Sequence, residues 1–550
     1  CKPAEQAEVR KLLILNGPAP VVFFVAGTKG YLHAGGQWLA VKPNAAGPWE
    51  VTSLASRLSG TWSGGTDMLI RLSEHVLAEP DVVVPASVGM TWMDTQAELG
   101  TLDGTPHALD AVTLPDGELY VFAALDTGDR LFRATRNDET FEEVTAKVKL
   151  TTRSKRFAWT DLDGDGRIDL VSWDGREVTL WRLSNAGTFE RAEQGKGFAL
   201  DECVGLAPCA MHANGVPALV VSTTSFPFLL TRSAAGTWVK TDLPPRVKHR
   251  EPPTCCACIV ADLDGDGWWD VLQPRPGRAF LWRGSAAGLK DFEVTDVAAA
   301  GETCRFALGD FNHDGSLDLF LADEKSAALW ENDGTGKFRD VTTSAGSLGY
   351  KLPLGVSDCI ATDLNHDGRT DLALFYAKGA LNYHFNRGFR CFGEEGELRL
   401  AGGDRGQAAA AVGDFNADGS LDLVVALTPE PASRPDGTRG PGGRQVGAKL
   451  RCYYNAAFEK PVVRVSLPKG SVGPVTVSVW QGEKHPVAAG TFPVCAAPLA
   501  RTFTLGSAKP FVVKWHPAPG PGQAGKPETS KRVTLPEALP DRGFEILLDR

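Results

Sequence analysis

Asp310-Phe-Asn-His-Asp-Gly-Ser-Leu-Asp318 decides the fold, because the chain repeats it. The same pattern returns as Asp161-Leu-Asp-Gly-Asp-Gly-Arg-Ile-Asp169, Asp262-Leu-Asp-Gly-Asp-Gly-Trp-Trp-Asp270, Asp363-Leu-Asn-His-Asp-Gly-Arg-Thr-Asp371 and Asp414-Phe-Asn-Ala-Asp-Gly-Ser-Leu-Asp422. The copies starting at 262, 310, 363 and 414 are 48, 53 and 51 residues apart, and 161 precedes 262 by 101, which is two periods. Midway lies a degenerate copy, Ala210-Met-His-Ala-Asn-Gly-Val-Pro-Ala218. Another, Val112-Thr-Leu-Pro-Asp-Gly-Glu-Leu-Tyr120, sits one period before 161, and a faint one surrounds Gly65.

Each copy lies between short apolar runs, such as Arg305–Gly309 before and Leu317–Ala322 after. A second hairpin follows, as in Ala328-Leu-Trp-Glu-Asn-Asp-Gly-Thr-Gly-Lys-Phe-Arg-Asp-Val-Thr342. Four short strands per period of about fifty residues is the signature of a β-propeller blade. Arranged radially, such blades leave only short, protected sheet edges. The expected fold is therefore all-β: a propeller of seven or eight four-stranded blades, eight if the copy near Gly65 counts. The hairpin around Trp38 is expected to complete the last blade and clasp the ring. Sixty Gly and thirty-six Pro suit a turn-rich chain with few long helices.

The loop spacing points to a hard divalent cation. Oxygen ligands at positions 1, 3 and 5 converge where Gly at position 6 lets the chain turn sharply; position 7 offers a backbone carbonyl and position 9 a further acid. Six or seven oxygens at about 2.4 Å suit Ca²⁺ better than Mg²⁺. The expected sites, about five, are Asp161, Asp163, Asp165, Arg167 and Asp169; Asp262, Asp264, Asp266, Trp268 and Asp270; Asp310, Asn312, Asp314, Ser316 and Asp318; Asp363, Asn365, Asp367, Arg369 and Asp371; and Asp414, Asn416, Asp418, Ser420 and Asp422. An EF-hand needs an acid at position 12, where these loops carry Ser172, Gln273, Leu321, Leu374 and Val425. By ligand charge, the four-carboxylate loops at 161 and 262 are expected to bind more tightly than the three with Asn at position 3. The loops at 112 and 210 should bind nothing. The ions would be scaffolding, since a catalytic metal keeps an open position beside acid–base partners.

Over residues 18–455 the repeated D-x-[DN]-x-D-G-x-x-D loops between strands resemble the FG-GAP or VCBS family of propellers, related to the blades of integrin α-subunits. That resemblance implies a calcium-bearing propeller used for adhesion or interaction. Arg501-Thr-Phe-Thr-Leu-Gly-Ser-Ala-Lys-Pro-Phe-Val-Val-Lys-Trp515 resembles, in part, the ASPIC/UnbV domain that often follows such propellers, with Thr504 where that element has its first Gly. Residues 456–550 are accordingly expected to form a small β-sandwich-like domain, and the Pro/Gly-rich stretch 428–444 a long flexible loop.

The formal charge is −10, from 67 acids and 57 bases. Seventeen of those acids sit in the five loops, so five Ca²⁺ ions would offset the whole excess. An acidic chain is a poor nucleic-acid binder, and no apolar run of eighteen residues is present to span a bilayer. The first residue is Cys1, followed by a polar stretch. This reads as the lipidated start of a bacterial lipoprotein, with residues 1–17 a tether whose acyl chains would be the only membrane contact. The expected location is extracytoplasmic: outer membrane, cell surface or periplasm. Ten further cysteines suggest disulfides in an oxidising compartment, with Cys203–Cys209 and Cys452–Cys495 as candidate pairs.

In a four-stranded blade the calcium loops and the loops after strand three share one face of the disc. The opposite face is expected to carry the basic segments, with Arg153, Lys155, Arg156, Arg246, Lys248, His249 and Arg250 as candidate contacts for an anionic polysaccharide or a protein. The sequence contains no nucleophile elbow, zinc-protease helix or phosphate loop. It reads as a binding protein, with a polysaccharide lyase or hydrolase using that same face as the alternative.

Overall fold

The computed structural model describes residues 92–455 apart from several loops, together with the strands of two flanking segments, 9–61 and 462–547; side-chain surroundings are described almost wholly within 99–455. Seven four-stranded antiparallel sheets form the ring. Blade 1 runs Ala108–Thr113, Leu119–Ala124, Arg130–Thr135 and Thr140–Glu143. Blade 2 is Arg156–Thr160, Asp169–Trp173, Glu177–Leu183 and Phe189–Arg191, with Phe198–Ala199 also pairing with its third strand. Blade 3 is Gly205–Cys209, Ala218–Ser222, Phe228–Arg232 and Trp238–Asp242, and blade 4 is Ile259–Ala261, Asp270–Arg275, Arg278–Trp282 and Glu293–Thr295. Cys304–Gly309, Asp318–Asp323, Ala327–Asn332 and Phe338–Asp340 make blade 5; Val356–Thr362, Asp371–Tyr376, Leu381–Asn386 and Phe392–Leu398 make blade 6. Among the described residues there is no α-helix, only a single turn of 3₁₀ helix at Thr342–Ser344.

Blade 7 takes Gln407–Gly413, Asp422–Leu427 and Lys449–Asn455 from the end of the ring and its outer strand, Trp92–Thr101, from the beginning. The ring has seven blades, the smaller of the two expected numbers, and one expectation is corrected. The clasp is Trp92–Thr101, in register from Lys449↔Thr101 to Asn455↔Trp92, and not the hairpin near Trp38. That hairpin's strands, Lys29–Ala34 and Gln37–Lys42, pair within a separate six-stranded sheet running from Val9 to Thr61. One Trp in a short hairpin mimicked the blade pattern, whereas a ten-residue strand satisfies the whole open edge of Lys449–Asn455. The copy near Gly65 lies outside the described residues.

The core is divided into seven wedges, one at each interface between neighbouring blades. Val121, Ala123, Val424 and Leu450 pack between blades 7 and 1. Phe122, Trp159 and Leu170 fill the next interface, then Val171, Leu180 and Leu219, Val220, Val271 and Trp282, Leu272, Leu281 and Leu319, Phe320, Leu372 and Tyr376, and Phe375, Leu423 and Val425. The second strand of each blade therefore has an apolar neighbour on both faces. Asp169–Trp173, Ala218–Ser222, Asp270–Arg275, Asp318–Asp323, Asp371–Tyr376 and Asp422–Leu427 are buried along their whole length. This explains why they read as continuous apolar runs and not as alternating ones. Outer strands such as Trp238–Asp242 are mostly exposed and polar.

Past the ring, the C-terminal strands pair into two sheets. One joins Ala500–Thr504, Val462–Ser466 and Phe544–Leu547; the other joins Pro486–Phe492, Val475–Trp480, Phe511–His516 and Thr529–Val533.

Candidate metal-binding loops

The acidic loops join the first strand of a blade to its second, and the final Asp of each is the first residue of that second strand. Strand pairing there, as in Thr160↔Asp169, Gly309↔Asp318 and Gly413↔Asp422, buries the position-9 acid. All five, Asp169, Asp270, Asp318, Asp371 and Asp422, are at most 1% exposed. A buried carboxylate requires donors or a cation.

Four of the five find two backbone donors. One oxygen accepts the N–H of loop position 2: Leu263 to Asp270 (2.9 Å), Phe311 to Asp318 (3.0 Å), Leu364 to Asp371 (2.9 Å) and Phe415 to Asp422 (2.9 Å). The other accepts an N–H at or just past the end of the third strand: Gly284 (2.7 Å), Asn332 (2.9 Å), Asn386 (2.8 Å) and Asn455 (2.9 Å). Position 9 is thus a staple that binds the loop to the third strand. Asp169 makes only the second kind of bond, from Leu183 (3.2 Å), and its Oδ2 is buried with no hydrogen-bond partner.

In blades 2 and 4 the acids converge. One oxygen each from Asp161, Asp163 and Asp169 lie within 4.8 Å of one another, and Asp262, Asp264 and Asp270 repeat the arrangement. Burial pushes the Asp169 carboxyl up to about 9, with repulsion from Asp163, Asp165 and Asp161 adding to it. Burial likewise raises Asp270 to about 8, helped by Asp264 and Asp262, and raises Asp266 to about 6. Such a group is electrostatically frustrated without a positive charge. All-oxygen donors, a sharp turn, mutual repulsion and the orphaned Asp169 Oδ2 together fit a calcium ion. Gly265, with φ of +71°, supplies the left-handed backbone of the turn in blade 4. The loop N–H groups fold inward as well: Asp165 donates to Asp161 Oδ1 (3.0 Å) and Asp266 to Asp262 Oδ1 (3.1 Å). At position 7, the Trp268 N–H donates to Asp266 Oδ1 (2.9 Å) and the Arg167 N–H to Asp165 Oδ1 (3.0 Å), while the Arg167 guanidinium pairs with Asp165.

Asp310, Asn312, Asp414 and Asn416 occupy the corresponding places in blades 5 and 7. Asp314, Asp363, Asn365, Asp367, Arg369, Asp418 and Ser420 lie outside the described residues.

Two sets of residues at these sites escaped the sequence reading. The first is an asparagine at the end of the third strand. Asn332 Nδ2 donates to the Leu263 carbonyl of the preceding blade (2.7 Å) and to Leu317 O (3.1 Å), and its Oδ1 accepts from Gly334 and Gly336 (both 3.1 Å). Asn386 reaches back to Phe311 O (2.8 Å) and Asn455 to Leu364 O (3.0 Å). Each ties the loop of one blade to the next. The signal was the recurrent Asn at Trp330-Glu-Asn332, His384-Phe-Asn386 and Tyr453-Tyr-Asn455. The second set is Arg182 and Arg283. Arg182 pairs with Asp163, and Arg283 Nη1 lies 2.9 Å from Asp264 Oδ2 while also reaching Glu293 and Thr335 O.

On the opposite face, Arg153, Lys155 and Arg156 are exposed. Arg156 is partly committed, since its Nε donates to Val204 O of the next blade (2.6 Å), and Arg305 makes the same bond to Ser357 O (2.7 Å). Arg246, Lys248, His249 and Arg250 lie outside the described residues. The expected pair Cys203–Cys209 is not formed: both thiols are free, as are Cys258, Cys304 and Cys359. Cys203 precedes the strand that Cys209 ends, and the two are buried in different wedges, a separation no disulfide spans. Cys1, Cys255, Cys391 and Cys495 lie outside the described residues. No helix among the described residues is long and apolar enough to cross a membrane.

Residues 262–321, 310–374 and 363–425 match the FG-GAP-like repeat family. Together with the seven-bladed ring around them, these repeats support an FG-GAP β-propeller protein. No curated protein matches the chain. Solved structures that overlay on it include an Agrocybe aegerita lectin described for specific recognition of non-reducing terminal N-acetylglucosamine, at 15% identity over 64% of this chain and 87% of the lectin, with a TM-score of 0.41. A virginiamycin B lyase from Staphylococcus aureus with quinupristin overlays at 8% identity over 65% of this chain and 98% of the lyase, TM-score 0.38. The Tc holotoxin pore of Photorhabdus luminescens overlays at 12% identity over 90% of this chain but 29% of the toxin chain, TM-score 0.37. At these scores the overlays carry no argument about ligand or chemistry.

Proposed function

We propose that this protein is a calcium-stabilised, extracytoplasmic interaction propeller, which holds a macromolecule on the face opposite its acidic loops. The observation that carries the reading is the pair of convergent carboxylate triads, Asp161/Asp163/Asp169 and Asp262/Asp264/Asp270, with a buried oxygen of Asp169 left for a cation. Calcium here neutralises acids that repel one another and fixes the turn between the first two strands of a blade, so the ion's contribution is structural. The chain supplies the rest: position 9 holds the loop to the third strand, and the Asn side chains hold that loop to the next blade. A disc stiffened in this way keeps its opposite face constant in shape. The exposed Arg153, Lys155 and Arg156 make that face a match for an anionic polysaccharide or an acidic protein surface.

The test is a carbohydrate and protein array probed with the full chain in calcium and in chelator, repeated with an Arg153→Ala, Lys155→Ala, Arg156→Ala variant. Binding that needs calcium and falls in the variant is expected. Binding to an anionic ligand that survives both changes would refute the proposed face. Turnover of a polysaccharide in the same assay would move the protein to the enzyme class.

A further inference from the structure

The two loops with Asp at position 3 differ from the others in a second, coupled way. The residue just before the N–H that binds position 9 is Arg182 in blade 2 and Arg283 in blade 4. In blades 5, 6 and 7, by the same criterion, it is Glu331, Phe385 and Tyr454. Among the five acidic loops, arginine is found there only where position 3 is Asp163 or Asp264, and the other three carry Asn312, Asn365 and Asn416; Arg133 holds the same register position in blade 1, opposite Tyr120, where the loop has no acid at position 3. The guanidinium faces that extra carboxylate in both cases, at Asp163 Oδ2 and Asp264 Oδ2. The other oxygen is occupied as well: Asp163 Oδ1 accepts the Asp165 N–H (3.2 Å) and Asp264 Oδ1 the Asp266 N–H (3.3 Å). A cation drawing on position 3 in these blades must share or displace the arginine.

We infer that Arg182 and Arg283 are affinity-setting residues: each cancels the added charge at position 3 and lowers the calcium affinity of its loop to that of the three-carboxylate loops. The expectation that four carboxylates bind more tightly than three then fails, because the fourth is already paired. Arg283 has a further consequence. It also donates to Thr335 O in the hairpin of blade 5 (2.8 Å) and meets Glu293 Oε1 (2.7 Å), so an ion that displaces it from Asp264 releases it toward those two partners. Occupancy of the blade 4 loop is thereby linked to the contact between blades 4 and 5.

This inference rests on the calcium reading above, and titration calorimetry of the full chain with Ca²⁺ alone separates the two. Arg283→Met and Arg182→Met should leave the number of ions unchanged and tighten one site each by roughly fivefold, the scale of a partly exposed ion pair. Arg283→Met with Asp264→Asn rebuilds the blade 5–7 arrangement and should return the affinity to the starting value. Asn416→Asp adds the carboxylate in blade 7, where Tyr454 stands in place of the arginine, and should tighten that site. If the unaltered protein takes up no Ca²⁺, the calcium reading is wrong. If it binds Ca²⁺ and Arg283→Met binds equally or more weakly while Asn416→Asp shows no gain, the calcium reading stands and the arginine inference is overturned.

Discussion

Replacing Asn332 by Ala tests whether the ring is held by its interblade asparagines. The side chain is fully buried and makes four hydrogen bonds, two of them donated to the carbonyls of Leu263 and Leu317 and two accepted from the turn at Gly334 and Gly336. Each such bond is worth about 1 kcal/mol net, and a buried group left unpaired costs more. The Gly334 N–H can turn to water but the Gly336 N–H is buried, so a loss of about 3 kcal/mol is expected. With an unfolding entropy of about 2 cal/mol/K per residue, a ring of this size should lose roughly 4 °C in melting midpoint. Asn332→Asp keeps the acceptor but turns a carboxylate on two carbonyls, and should cost at least as much. Calorimetric or dichroic melting in calcium and in chelator reads both. Since these side-chain bonds go to backbone groups, at loop position 2 of blade 4, at Leu317 and in the turn at Gly334 and Gly336, the loss should be the same in both conditions. A change below about 1 °C, or one that disappears in chelator, would refute the role assigned to it.

Chelation should lower the melting midpoint of the unaltered protein and excess Ca²⁺ restore it, as for any ion that binds only the folded state; an unchanged midpoint would undo the calcium account. Asp318→Ala should cost about 3 kcal/mol even in chelator, because the N–H groups of Phe311 and Asn332 lose their acceptor, and a purely calcium-dependent loss would show position 9 to be a ligand alone. Burial raises Asp358 to about 6, against the attraction of Arg305. The folded state therefore holds this proton more tightly than the unfolded chain, and stability falls as pH rises from about 4 to 6. Asp358→Asn should remove about 1 kcal/mol of that slope after solvent screening, a flattening visible in urea midpoints taken across the range. Burial pushes the Cys203 and Cys258 thiols up to about 12, so a thiol reagent at pH 8 should label neither until the protein unfolds, and fast native labelling would contradict their placement.

The repeat was legible because the turn geometry and the burial of position 9 constrain the same few residues in every copy. Blade number was not, because closure depends on Trp92–Thr101, a strand paired across more than three hundred residues with Lys449–Asn455 and bearing no trace of the loop pattern. The convergence of acids at positions 1, 3 and 9 in blades 2 and 4 was legible in the spacing, whereas position 5, expected beside them, is in neither cluster. Asp270 and its equivalents could not be recognised as staples, since their partners are backbone N–H groups on the third strand, invisible to side-chain spacing. Arg182 and Arg283 were missed because their charge complements residues 19 positions earlier in the chain. Cys203 and Cys209 invited pairing by closeness in sequence, yet an extended strand puts its two ends far apart.

Closure by Trp92–Thr101 also fixes how the molecule responds to load. Asn455 and Trp92 are register partners, so the chain enters and leaves the ring at the same end of one antiparallel pair. Tension between the segments before 92 and after 455 peels that pair open from its end, breaking hydrogen bonds one after another and not all together in shear. Force applied through both flanks meets the least resistance the ring can offer.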